Sequence, residues 1–327
     1  MSTPQTIAVT GATGFVGRHV VRALVERGYG VRALVRDRVK AAKALGASNA
    51  EVRWTLGDIF DPGAMRELAA GAEAMVHTVG IRREFRPEVT FERLHAGATR
   101  AALEAAQSAG VVRFVHISAL GTRPEARCAY HRSKFEAEAL VRRSGLAWTI
   151  LRPSLIHGPD GEFMRMVKDW ALGRAAPWFI LPYFSRVRMS DGLIPTPRFS
   201  AALVQPVWVE DVAGAVVAAL ESERAVGEVY HLGGAEALDW PTMLRAIRDA
   251  LPLADRRMRV IGIPGLLAWI KAAQLEVVGL GRLLPFGPSE PIMATEDSVC
   301  APDKAREHLG FEPGAFRATM EGYAADI

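Results

Sequence analysis

A chain of 327 residues, half of them apolar and 23% charged, can bury a full core in one large domain or two coupled ones, and is not a disordered protein. Forty lysines and arginines oppose 36 aspartates and glutamates, and the resulting +4 is too weak a field over this length to argue for a nucleic-acid partner. Cys128 and Cys300 offer neither a disulfide framework nor zinc spacing, and the eight histidines show no HExxH, so a reduced, cytoplasmic compartment and no metal site are expected.

Met1-Ser2-Thr3-Pro4-Gln5-Thr6 lacks the basic and apolar regions of a secretory signal. The first strand is expected at Ile7-Ala8-Val9-Thr10 and a helix from Val16 to Arg27. A strand at Val31–Val35, a short helix at Ala41–Leu45, and a strand at Val52–Leu56 follow. Pro62 to Ala70 reads as a helix with proline in its first turn, and Ala74–His77 as a strand. An Ala-rich helix from Phe91 to Ala109 stops at Gly110; a β-branched strand runs from Val111 to Ile117. A helix from Tyr130 to Arg143 precedes a strand at Trp148–Leu151 that Pro153 closes. Strands alternating with helices predict an α/β fold, a doubly wound parallel sheet covered on both faces.

Residues 158 to 206 are rich in Gly, Pro and aromatics. Val207–Val209 and Val229–Leu232 read as strands returning to the main sheet, with a helix from Asp211 to Glu221 between them. The remainder reads as a smaller, mainly helical C-terminal cap. The expected division is 1–157 with 205–235 as the nucleotide-binding domain, and 158–204 with 236–327 as the substrate region. No run of 18 apolar residues exists. Val260 to Phe286, broken by charges and prolines, reads as buried or amphipathic helix. The Arg256-Arg257-Met258-Arg259 cluster beside it suits either a solvated face or contact with an anionic membrane surface.

Thr10-Gly11-Ala12-Thr13-Gly14-Phe15-Val16-Gly17 joins the first strand to the first helix, which is the context of a dinucleotide site. Gly11 permits the turn, Gly14 lets a pyrophosphate approach the backbone, and Gly17 lets helix pack on strand, with the helix N-terminus facing the phosphates. At the end of the second strand stands Arg36 rather than an acid. Arg36 suits a 2′-phosphate, so NADP(H) is favoured over NAD(H), although Asp37 follows directly; Arg18 is a candidate for a second phosphate contact. Asp58 and Ile59, after the third strand, are candidates for the adenine, with an N-cap role for Asp58 as the competing assignment. Thr78, Val79 and Gly80, after the fourth strand, would line the cofactor.

Tyr130 and Lys134 lie one helical turn apart. An ammonium beside the phenol is expected to lower its pKa, so that Tyr130 exchanges a proton with a substrate oxygen near neutral pH. Lys134 could also bond the nicotinamide ribose. Cys128 reads as a small half-buried residue, and His157 and Glu162 as loop residues.

These motifs, with Leu151-Arg152-Pro153-Ser154, Gly158-Pro159, Val207-Trp208-Val209-Glu210-Asp211-Val212 and Tyr230-His231-Leu232-Gly233-Gly234, together resemble the extended short-chain dehydrogenase/reductase family over roughly residues 5–235. The resemblance implies a Rossmann domain binding NAD(P), Tyr130 as acid/base, Lys134 as its partner, and backbone at Pro153, Ser154 and Leu155 facing the nicotinamide. It also implies a dimer face on helices 91–109 and 130–143. Family members usually carry Ser or Thr where this chain has Ala119; Ser118, one place earlier, points to the other face of the sheet but still borders the cofactor. That pattern is most similar to the atypical subgroup containing a nucleotide-binding accessory subunit of respiratory complex I. The expected function is an oxidoreductase or epimerase/dehydratase acting on a small carbonyl or alcohol. The alternative is a non-catalytic NADP(H)-binding protein, structural or redox-sensing, in a membrane respiratory assembly.

Overall fold

β-Branched and alanine-rich runs form the strands, and helices with one apolar face cover them. The structure, a computed structural model, describes residues 5–46, 51–85, 87–190 and 196–327; the Met1–Pro4 segment read above lies outside them. The first half contains β1 (Thr6–Thr10), α1 (Phe15–Glu26), β2 (Gly30–Val35), α2 (Arg38–Leu45), β3 (Val52–Leu56), α3 (Pro62–Ala69) and β4 (Ala74–His77). A π-helical turn (Glu92–Gly97) then runs into α4 (Ala98–Ser108), followed by β5 (Arg113–Ile117), α5 (Ala129–Arg142) and β6 (Ala147–Pro153). Beyond lie β7 (Ile156–His157), α6 (Glu162–Ala171), β8 (Ile180–Met189), β9 (Pro197–Ser200), β10 (Leu203–Val204), β11 (Val207–Trp208), α7 (Val209–Glu221) and β12 (Glu228–Leu232). The chain ends with β13 (Leu238–Asp239), α8 (Trp240–Ala250), β14 (Arg259–Pro264), α9 (Gly265–Val277), α10 (Ser289–Ala294), α11 (Asp303–Leu309) and α12 (Phe316–Glu321).

The main sheet has seven strands in the order β12-β6-β5-β4-β1-β2-β3, all parallel. Alternation along β1 sends Ile7 and Val9 into the core under α1 and α7, and Ala8 into the core under α3 and α4. Strand order reverses between β1 and β4, so the crevice at their C-terminal ends is the switch point where ligands bind in such sheets. A third core, built on Met164, Trp170, Met243, Ile247 and Phe316, belongs to the C-terminal region.

Two expectations fail here. β12 joins the sheet beside β6, but Val207–Trp208 does not; β11 pairs with β7 instead. β12 occupies the edge of β6, and the two-residue β11 pairs instead with β7, the short extension beyond Pro153. The stretch from Val260 begins as strand β14, which pairs in parallel with β8, and its helix α9 is not buried. A further difference lies at 91–109, where the first turn is π rather than α.

Candidate functional site

The glycine turn is held from two sides. Gly11 has φ +73°, and a Cβ there would lie 2.6 Å from Thr78 Oγ1 and 3.0 Å from the Val79 nitrogen. A Cβ on Gly17 would lie 2.1 Å from the Gly11 carbonyl oxygen. Gly14 caps α1 without a side chain, and its N–H closes the turn onto the Gly11 oxygen at 2.9 Å. The turn is thus packed too tightly on β4 and on itself to admit a side chain at 11 or 17, and it brings the N-terminus of α1 bare to the end of β1, which fits a pyrophosphate. Ala12 is buried beneath the turn, and Thr13, Phe15 and Val16 continue it into α1. Thr78 Oγ1 donates to the Thr10 carbonyl at 2.9 Å and so ties the ends of β1 and β4 together.

Arg18 is engaged elsewhere than expected, pairing with Asp160 at 2.8 Å. Asp160 and Glu210 also hold the two ring nitrogens of the buried His19, at 3.1 and 2.7 Å. This network pins the 158–161 loop and the start of α7 to α1. The same loop packs Gly158 and Gly161 on the Phe15 ring. Burial works against the charged form of His19, but the two carboxylates outweigh it and raise its pKa.

Arg36 is exposed at the end of β2. Asp37 caps α2, accepting from the nitrogens of Val39 and Lys40 at 2.8 and 3.0 Å. Asp58 accepts from Phe60 N at 3.0 Å, while the cap of α3 is Asp61. The competing assignment of Asp58 as the helix cap therefore does not hold. Ile59 is buried beside it.

Tyr130 and Lys134 sit on the first turns of α5. Lys134 is buried and donates to the Ile117 carbonyl at 3.0 Å, and a Cβ on Gly80 would be 3.1 Å from its Nζ. The absence of a side chain at Gly80 leaves the backbone after β4 in close contact with the ammonium. Burial brings Lys134 down to about 8, with Glu138 opposing. The expected lowering of Tyr130 is not what the structure gives. Burial pushes its phenol up to about 12, because the ring is enclosed edge-on by Phe91, His95 and His131 while the Lys134 ammonium is turned to Ile117. The π turn delivers His95 to this place: its Nδ1 bonds Ser133 Oγ at 2.8 Å and its Nε2 meets the backbone of Ile81.

Behind Lys134 lies a polar group that sequence reading missed. Glu138 is fully buried and binds Arg152 through both oxygens at 2.8 and 2.6 Å, Arg142 at 2.7 Å and Ser118 Oγ at 2.6 Å. The signal was present: Tyr130, Lys134, Glu138 and Arg142 recur every four residues on one helix face. Ser118 thus spends its hydroxyl on Glu138, and Ala119 beside it carries none. Thr10, His77 and His116 form a buried row across the sheet, with His77 bonded to Thr10 at 2.7 Å and stacked on His116. Burial, then the Lys134 cation, brings His77 to about 3.

Pro153 ends β6; its carbonyl accepts from Leu120 N, and Ser154 Oγ donates to the Ser298 carbonyl at 2.8 Å. Leu155 packs at the edge of the C-terminal core. His157 bonds Tyr323 at 2.7 Å inside that core, and Cys128 is buried, so neither faces a ligand crevice. Glu162 pairs with Arg82, which also reaches Glu290 at 2.9 Å. Beside the Phe91–Tyr130 ring pair opens a cavity of about 430 Å³, lined by Arg83, Phe91, Ala129, Ala273, Val277 and Glu290 among others.

Residues 11–170 match a family model described as NAD(P)H-binding. The chain is 38% identical over 185 residues to ceramide reductase of Caulobacter vibrioides, covering 56% of each chain. It is 29% identical over 247 residues to the mitochondrial NADH dehydrogenase (ubiquinone) 1 alpha subcomplex subunit 9 of Arabidopsis thaliana, covering 74% of this chain and 57% of the relative. The matches thus span little more than half the length of these two curated relatives. An epimerase structure from Methanothermobacter thermautotrophicus superposes with a TM-score of 0.71 at 18% identity, covering 97% of this chain and 90% of that one. The fold is the Rossmann type with a largely helical C-terminal region, and residues 11–170 of it carry the NAD(P)H-binding match. No helix among the described residues is long and apolar enough to cross a membrane.

Proposed function

We propose that this chain, an extended short-chain dehydrogenase/reductase in its motif order and fold, is an NADPH-dependent reductase of a small carbonyl compound with Tyr130 as proton donor. The observation that carries the reading is the Tyr130 phenol. It follows Ala129 and meets the Phe91 ring edge-on, both of which line the cavity, and it stands one turn from Lys134. Burial pushes the phenol up to about 12, which makes it a weaker acid than usual but keeps its proton in place at neutral pH, to be given to a more basic developing alkoxide. A reduced dinucleotide with its pyrophosphate on the glycine turn would supply hydride to the carbonyl carbon, and the oxygen would take the Tyr130 proton to give the alcohol. Gly11, Ala12, Thr13, Gly14, Phe15, Val16 and Gly17 would hold the pyrophosphate, Asp58 and Ile59 the adenine, and Thr78, Val79 and Gly80 one wall. Lys134 would reach the ribose from beside Gly80, and Pro153 to Leu155 would offer backbone to the nicotinamide, with Ser118 behind. The nucleotide domain would comprise 1–157 and 205–235, and the remainder would shape the substrate side.

Tyr130→Phe is expected to lower kcat by about 10²–10⁴ with NADPH affinity kept. Wild-type and variant chains assayed for NADPH oxidation on a panel of aliphatic and aromatic ketones decide the matter. Equal turnover in both would refute the role of Tyr130.

Because Asp37 is committed to capping α2, Arg36 is the charged group left at the ribose end of β2, which supports NADPH. Arg36→Ala should weaken NADPH about tenfold or more and leave NADH unchanged, since a charge-assisted phosphate contact is worth about 1.5–3 kcal/mol. Equal losses for the two nucleotides, measured by titration calorimetry, would count against it.

One observation favours a second reading, a nucleotide-binding protein without turnover. Ala119 carries no hydroxyl to hold a carbonyl, and the neighbouring Ser118 hydroxyl is bound to Glu138. In that case every ketone would be inert while NADPH still raised the melting temperature.

A further inference from the structure

Helix α9 is built inside out. The residues it buries are Gly265, Ala268 and Ala272, whereas Leu266, Leu267, Ile270 and Val277 face solvent, Leu266 at 64% and Val277 at 88% exposure. The reason for the small inner face is close packing: a Cβ on Gly265 would lie 2.5 Å from Thr295 Cγ2 at the end of α10. The apolar surface continues past the helix through Val278 and Leu283, both more than 60% exposed. Packing explains the inner residues and leaves the large outer ones without a partner; an apolar stripe of about 20 Å on a 13-residue helix costs solubility unless something covers it.

Charge identifies the cover. Lys271 is exposed on the same helix, and the exposed Arg282 stands over the Phe85 ring just beyond it. In the sequence from 252 to 283, five cations, Arg256, Arg257, Arg259, Lys271 and Arg282, stand against two acids, Asp255 and Glu276. A second copy docked by two-fold symmetry would set this cationic surface against itself. Aliphatic side chains flanked by cations match an anionic bilayer, where the alkyl groups enter the acyl boundary and the ammonium and guanidinium groups meet phosphates.

We propose that α9 and the Val278–Leu283 segment form a surface that docks the protein peripherally on anionic lipid bilayers. Ala273 and Val277 belong both to this surface helix and to the wall of the 430 Å³ cavity beside Tyr130. Docking therefore sets that cavity against the lipid. This last point rests on the reductase reading; the docking itself does not.

The test is co-sedimentation of the full chain with vesicles of phosphatidylcholine alone and of phosphatidylcholine with one-third phosphatidylglycerol. Wild type should bind the anionic vesicles at least tenfold more tightly, and salt should weaken the binding. Leu267→Glu combined with Ile270→Glu should abolish it; Lys271→Glu combined with Arg282→Glu should remove the preference for anionic lipid, both without change in melting temperature. Tyr130→Phe should bind vesicles like wild type, so an inert enzyme and a failed docking surface are told apart. No sedimentation with anionic vesicles overturns the proposal. So does a wild-type dimer in light scattering that the Leu267→Glu, Ile270→Glu chain loses, because a second copy would then be the cover.

Discussion

Replacing Gly17 by alanine is expected to remove NAD(P)H binding. The new methyl would be 2.1 Å from the Gly11 carbonyl oxygen, a backbone atom with no rotamer to relax into. The Gly11 turn has no freedom to retreat either, since its other side lies against Thr78 and Val79. Helix α1 must therefore move off β1, carrying with it the N–H groups that face the phosphates. Such overpacking costs about 1–3 kcal/mol, and lost phosphate geometry adds to it, so affinity should fall by well over tenfold. Gly28→Ala is the control. It has φ +91° with nothing within 4 Å of the added carbon, so it carries backbone strain without a clash. Calorimetric titration with NADPH should find Gly28→Ala binding normally and Gly17→Ala not at all; wild-type affinity in Gly17→Ala would dismiss the cradle.

The second large effect is expected at Glu138. Truncating it to alanine leaves Arg152 and the Ser118 hydroxyl in a buried place without their carboxylate. Breaking a buried ion pair in this way costs about 3–5 kcal/mol. Burial by itself would raise the Glu138 carboxyl, but its bonds from Arg152, Ser118 and Arg142 outweigh that and hold it below the ordinary value. A carboxylate depressed in the folded state contributes stability above its unfolded pKa and loses it as pH falls through the folded one. Urea melts should therefore show the gap between wild type and Glu138→Ala full at pH 7 and narrowing below the ordinary carboxylate range. A gap that stayed constant well below that range would mean the loss is one of packing. Glu138 also supports the charge of Lys134 across one helical turn, so the variant should move the basic limb of any pH–rate profile to lower pH.

The alternation of β-branched runs with helices specified the parallel sheet, because each pattern is local and each strand can bury only by receiving helices on both faces. The turn at 10–17 was legible for the same reason: glycine spacing is a statement about backbone clashes within one turn. Asp61 outcompeted Asp58 as a cap because Pro62 fixes the start of α3 one residue later, and a proline at N1 marks that boundary in sequence.

Other features depend on residues far apart in the chain. Whether Val207–Trp208 reaches the sheet depends on which strand occupies the edge of β6, and nothing within that dipeptide records it. The π turn that brings His95 to Tyr130 leaves no period of its own. The Tyr130 pKa reversed its expected direction because Phe91, His95 and His131 enclose the ring while Ile117 takes the Lys134 ammonium, contacts made across three elements. The solvent-facing leucines of α9 likewise look like core in sequence, since composition gives an apolar helix no inside or outside until α10 takes up its small face. Sequence thus determined most of the elements, the glycine turn and the placing of Tyr130 and Lys134 one turn apart on α5, all set by interactions within a few residues. Tertiary structure decided which edge each strand found, which polar groups were shut away from water and which apolar face was left outside, because those depend on what the rest of the chain has already covered.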